Sequence, residues 1–125
     1  MPRPRSTLPP ATGTSPRLII RLEIGRLRIG PGKVSLLEEI GRSGSISAAG
    51  RALKMSYRRA WELVEDLNRG LGTPVVEAAA GGAGGGGARL TAAGQAVISQ
   101  YRAIEADGNR TAGPRLAALA RLVVP

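Results

Sequence analysis

Ile20, Leu22 and Ile24 alternate with Arg21 and Glu23 between Leu18 and Ile29. That period of two predicts a strand, punctuated by Pro31 and Gly32. The period then lengthens. Val34, Leu37 and Ile40 recur at helical spacing with Leu36 beside them, predicting a helix of about three turns that ends at Gly41 or Gly44. Ser45 or Ser47 can cap a short second helix through Ala48, Ala49, Ala52 and Leu53, whose small side chains allow a close crossing. Lys54-Met55 makes a turn. Ser56 caps a longer helix from Tyr57 to about Arg69, with Ala60, Trp61, Val64, Leu67 and Leu71 as its expected core stripe. Gly70, Gly72 and Pro74 stop it. A strand near Val75-Val76, the glycine-rich run Gly81–Gly87 and a return strand at 88–90 predict a hairpin. Thr91 caps a last helix carrying Ala93, Val97, Ile98, Tyr101 and Ile104.

This order predicts an α+β winged helix-turn-helix: a three-helix core, one β-hairpin wing and a further C-terminal helix. The 125 residues hold one domain. Residues 18–107 are assigned to it. The proline-rich, basic segment 1–17 cannot bury enough surface to offset chain entropy, so a disordered arm is expected, either along a DNA groove or free in solvent. Residues 108–125 read as a tail with a short amphipathic stretch that packs on the domain or on a partner.

Composition narrows the chemistry. Phe is absent and there are only one Trp and two Tyr, so the core falls to Leu, Ile, Val and Ala. Without His or Cys, zinc sites of the usual kind, thiol catalysis, His-based triads and disulfides are excluded within the chain. Lys33, Lys54 and the Glu38-Glu39 pair do not assemble into an evident acid–base site, so no enzyme and no cofactor is expected. No apolar run approaches a membrane span and no signal-peptide core is present, which predicts a cytoplasmic protein with no membrane partner. Net charge is +9 and the pI about 11.5, values suited to a polyanion.

The location of that charge matters more than its sum. Between Glu39 and Glu62 there is no acidic residue, while Arg42, Arg51, Lys54, Arg58 and Arg59 all occur. Positive side chains at a helix N-terminus disfavour the isolated helix, a cost that an incoming anion offsets. Double-stranded DNA is the expected partner. Arg58 and Arg59 are candidates for bidentate reading of guanine or for clamping phosphate. Ser56 and Tyr57 can hydrogen-bond phosphate, and Tyr57 can also lie against a thymine methyl. Glu62 can accept from cytosine N4 or orient Arg58 across one turn. Arg51 and Lys54, with Ser47 at the front of the short helix, are expected at the backbone. Gly84, Gly85 and Gly86 at the wing tip allow close approach to phosphate, with Arg89 adding charge. A nucleotide-binding P-loop is excluded there, because Ala88-Arg89 follows the glycines where Lys-Ser/Thr is required. Trp61, on the apolar stripe, is expected in the core.

Gly44-Ser-Ile-Ser47, Ser56-Tyr-Arg-Arg-Ala-Trp61, the glycine run into Leu90-Thr91, and Gly94-Gln95 together resemble the N-terminal DNA-binding domain of the ModE family of molybdate-responsive bacterial regulators. More distantly they are similar to LysR-type winged helices. The resemblance covers about Gly32 to Glu105. It implies a homodimer joined through the first and last helices, with the last as dimerisation helix, and operator binding by the helix at 56–70 and the wing. It places Ser56, Tyr57 and the basic positions after them at DNA. The family's molybdate-binding pair of β-barrels has no counterpart before Pro125, so the expectation is a sequence-specific reader without molybdate sensing, with any signal coming from a separate effector-sensing protein. Two alternatives stand beside it: a non-specific nucleoid or architectural protein, and a protein-interaction adaptor using the last helix and tail.

Overall fold

Gly25 turns the first strand back on itself. In the computed structural model, which describes residues 16–80 and 87–124, β1 (Leu22–Ile24) pairs antiparallel with β2 (Leu27–Ile29). Gly25 sits at φ +59°, a conformation costly for any residue with a Cβ. The single strand expected from the alternation is therefore a hairpin. Leu27 and Ile29 are buried, and Arg28 faces Glu23 across the ladder at 3.6 Å.

Helix α1 (Pro31–Ser43) opens with proline at its first turn, where a missing N–H costs nothing. It ends on Gly44, which adopts φ +74° and returns its N–H to Ile40 O at 2.8 Å. Val34, Leu36, Leu37 and Ile40 are its core residues. Helix α2 (Ile46–Ala52) is capped by Ser45, whose buried hydroxyl accepts from Ala48 N at 3.0 Å; Ser47 lies inside the first turn and is not the cap. Helix α3 (Tyr57–Leu71) is capped by Ser56 and closed by Gly72 in the same left-handed form as Gly44. Its buried residues are Ala60, Leu63, Val64 and Leu67, spaced for one face.

A second hairpin follows, β3 (Val76–Ala79) against β4 (Gly87–Leu90), in register Val76↔Leu90 and Glu77↔Arg89. The wing tip, including Gly84, Gly85 and Gly86, lies outside the described residues. Hydrogen bonds fix the wing's base. Ala88 N donates to Gly44 O, Val75 N to Asn68 Oδ1, and the Thr91 hydroxyl to Pro74 O, at 2.9, 2.9 and 2.7 Å. Thr91 also caps α4 (Ala92–Ala120), accepting from Gly94 N at 3.1 Å. Residues 20–101 form one compact unit. In it Tyr101 is buried and donates its hydroxyl to Ile20 O at 2.7 Å.

Among the described residues the second unit comprises 16–19 and 102–124. Its described helix is the remainder of α4, which continues through Asp107-Gly108 and contains Pro114, where the sequence placed a tail. Within this unit Leu18 N donates to Asn109 Oδ1 at 2.9 Å. Leu119, Leu122 and Val124 are exposed.

Glycines set how closely the elements approach. A Cβ on Gly94 would stand 2.3 Å from the Val75 carbonyl oxygen, which is backbone and cannot swing aside. On Gly32, inside α1, it would meet nothing within 4 Å. The same substitution therefore has opposite signs. Gly94→Ala should destabilise by about 1–3 kcal/mol through overpacking, despite the better helix propensity of alanine. Gly32→Ala should stabilise by up to about 1 kcal/mol. Urea unfolding followed by circular dichroism measures both; equal shifts would contradict the packing at Gly94.

Candidate nucleic-acid interface

The turn between α2 and α3 is tight. Met55 N donates to Gly50 O at 2.9 Å, and a Cβ on Gly50 would come within 3.3 Å of Met55 O. Lys54 carries the turn at φ +60°, alone among the described non-glycine residues in having positive φ. A residue with a Cβ held there stores strain that a glycine would not.

Ser56 Oγ accepts from Arg59 N at 3.0 Å, fixing the first turn of α3. Beyond the cap the side chains diverge from the core. Tyr57 is 55% exposed and the Arg58 side chain 90% exposed. Glu62 lies between the arginines, its two oxygens 3.5 Å from Arg58 Nε and 3.6 Å from Arg59 Nη1. The orienting arrangement of Arg58 by Glu62 is thus present, and Arg59 shares it. Exposed pairs of this kind add little stability. Further along, Arg69 pairs with Asp66.

On the other flank Asp66 meets Lys33 of α1 at 3.8 Å, and the Lys33 ammonium donates to Arg28 O at 2.9 Å. Burial pulls the Lys33 pKa below the ordinary lysine value. Asp66 opposes that shift, and Arg59, Arg28 and Arg21 reinforce it. Lys33 thus ties α3 to α1 and to the end of β2.

Arg51 and Lys54 are exposed and, among the described residues, form no ion pair. Ser47 is half-buried at the front of α2. Arg89, exposed on β4, is held by Glu77 across the wing at 3.0 Å. The fold thus brings Ser56, Tyr57, Arg58, Arg59 and Glu62 together over the first two turns of α3. It places Lys54 in the turn leading into them, Arg51 and Ser47 on α2 and Arg89 on the wing.

Trp61 is a correction. It is 42% exposed, while Leu63, unassigned from the sequence, takes the core position. At 3.6 residues per turn, Trp61 is rotated by about 100° from Ala60, off the stripe made by Ala60, Leu63, Val64 and Leu67. The i, i+3, i+4, i+7 spacing of those four was the available signal.

Residues 32–95, just over half of the chain, match the family described as bacterial regulatory helix-turn-helix protein, lysR family. The chain belongs to this family. Among curated relatives of this LysR-family chain, the molybdenum-pterin-binding protein MopB of Rhodobacter capsulatus is 53% identical over 85 residues, 68% of this chain and 32% of MopB. The DNA-binding transcriptional dual regulator ModE of Escherichia coli K12 is 42% identical over 71 residues, 57% of this chain and 27% of ModE. The chain spans about a third of the length of these relatives or less. The solved CbnR_DBD–DNA complex matches with TM-score 0.56 at 24% identity, covering 70% of this chain and 95% of that one, which shows the fold. The LysR-family chain is therefore a winged helix-turn-helix DNA-binding domain related to the ModE and Mop proteins. Among the described residues no helix is long and apolar enough to cross a membrane.

The strained turn and the cap make separable stability predictions. Ser56→Ala should cost about 1 kcal/mol. Lys54→Gly should raise stability by up to about 1 kcal/mol by releasing the left-handed conformation. Thermal melts of the two variants check both signs.

Proposed function

We propose that the protein is a sequence-specific transcriptional regulator of the ModE type that binds operator DNA as a homodimer, through the N-terminal half of α3 and the wing. One observation carries the reading. The Ser56-capped start of α3 presents Tyr57, Arg58 and Arg59 outward, beside the unpaired cations Arg51 and Lys54 and with no acidic residue between Glu39 and Glu62. With Glu62 as the one carboxylate beside these cations, positive charge is in excess, and the phosphate backbone supplies the balancing anions.

Two tasks divide among these residues. Arg51 and Lys54, without an ion-pair partner among the described residues, neutralise phosphates and set position. Arg58 and Arg59, held by Glu62, present forked donors in a limited set of directions, which suits base edges. Ser47, Ser56 and Tyr57 supply hydrogen bonds to the backbone. Gly84, Gly85 and Gly86 with Arg89 bring the wing to an adjacent stretch of backbone. The homologous relatives support operator binding, and the exposed apolar residues of α4 support a dimer. A charge-only nucleoid protein uses the same cations but has no need for Glu62 among them. That carboxylate favours the specific reading. Regulation by molybdate is not part of this proposal, and any signal reaches the domain through a separate sensing segment or protein.

The test is selection of DNA from a random library by the purified chain, with and without molybdate, followed by gel shifts over a range of salt. Specific recognition predicts a selected sequence with two-fold symmetry and an affinity at least about a thousandfold above random DNA. A ratio near one at every salt concentration would overturn the reading in favour of charge-only binding. Arg58→Ala and Arg59→Ala should each cost about 1–3 kcal/mol on the selected site and relax preference at one base position. An arginine whose removal weakens selected and random DNA alike contacts phosphate instead. Lys54→Gly should weaken both kinds of DNA equally and lower the salt slope by about one, although it stabilises the fold.

A further inference from the structure

Trp61 is the sole tryptophan of the chain, and the core does not use it fully. Ala60, Leu63, Val64 and Leu67 fill the buried face of α3 at 7% exposure or less, whereas Trp61 is 42% exposed. Tyr57, one turn earlier and therefore beside it on the same flank, is 55% exposed. The third aromatic residue, Tyr101, is buried. Both exposed aromatic side chains of this aromatic-poor protein thus stand together on the flank of α3, next to Arg58 and its partner Glu62. A half-exposed indole has large apolar area to lose on binding, so such a residue tends to carry affinity or selectivity once covered.

Its depth along the helix suits one occupant. At 1.5 Å per residue, Trp61 lies about 6 Å behind Tyr57 along the axis, while the major groove is about 8.5 Å deep. If the N-terminus of α3 leads into the groove, as the proposed function has it, Trp61 falls within that depth, and Arg69, about 18 Å behind Tyr57, falls beyond it. The apolar feature presented by base pairs in that groove is the C5-methyl group of thymine.

We propose that Trp61 is a specificity-determining residue that covers a thymine methyl group, with Tyr57 beside it. This rests on the reading of α3 as the DNA-facing helix. The contact is apolar, so it adds selectivity for thymine over cytosine at one position of each half-site without neutralising a phosphate.

The test uses the full chain and the selected operator. Titrating operator into protein should change the fluorescence of Trp61, the only tryptophan present. Each thymine is then replaced in turn by deoxyuridine, which removes only the methyl. For the unsubstituted protein, one replacement per half-site should weaken binding about fourfold, the value of one buried methyl. Trp61→Ala should weaken the thymine operator by at least as much, respond no further to that replacement and keep the salt slope unchanged. Trp61→Phe should retain part of the methyl preference. Circular dichroism checks that both variants fold. Equal responses of the unsubstituted protein and Trp61→Ala to every replacement would overturn the proposal. So would a Trp61→Ala variant that binds operator normally but loses self-association, which would make the occupant a second copy. If no sequence is selected at all, the DNA-reading assignment of α3 fails first and this inference falls with it.

Discussion

The rotation of α3 about its own axis decides what the molecule can present, and the buried stripe Ala60, Leu63, Val64, Leu67 sets it. These side chains join Val34, Leu37 and Ile40 of α1 in one core cluster. Turning the helix by one residue position would bring Arg59, Glu62 and Asp66, or Glu65 and Asn68, into the core face, and an unpaired buried charge costs far more than the stripe gains. The outward direction of Tyr57, Arg58, Trp61 and Glu62 is therefore a consequence of the core. Lys33 adds a second anchor through Asp66, on the flank opposite Tyr57 and Trp61.

Axial position is fixed by different means. Ser56 determines where α3 begins, and Gly50 determines how near α2 stands to that beginning. Gly70 faces Leu27 of β2 so closely that a Cβ there would lie 2.9 Å from the Leu27 Cα, which ties the rear of α3 to the first hairpin. The wing is placed relative to these helices by Gly44 O, by Asn68 and by the contact of Gly94 with Val75. Small residues and caps thus settle where the reading surface sits, and large apolar residues settle which way it faces.

Much of this was legible because punctuation and periodicity report on local physics. Ser45, Ser56 and Thr91 stand where orphan N–H groups need acceptors, and Gly44 and Gly72 stand where a chain leaves a helix through positive φ. Choosing Ser45 over Ser47 needed the backbone, since both precede small residues. The first hairpin was missed because a two-residue turn hardly disturbs an alternating pattern. Its trace is a change of phase: apolar residues fall at 20, 22 and 24, then at 27 and 29. Hydrophobicity alone recruits Trp61 to a stripe that Leu63 completes. The continuation of α4 past Gly108 has little local signature, because glycine and Pro114 both argue against helix. For the site, residue types and order were readable, while the sharing of Glu62 by two arginines depends on side-chain positions.

Glu62 makes physical sense only if affinity is not the sole requirement. A surface evolved for maximal attraction to phosphate has no use for a carboxylate between two arginines, since it lowers the local potential and repels the backbone. What it provides is direction. Guanidiniums free to sweep solvent lose rotamer entropy when they settle on a base edge, whereas guanidiniums already held near one carboxylate have lost part of it. The same carboxylate disfavours any DNA placement in which neither arginine finds a partner. On the proposed reading Arg51 and Lys54, unpaired among the described residues, supply attraction that is indifferent to sequence. On that reading the division between free and held cations follows the division between binding DNA and choosing it.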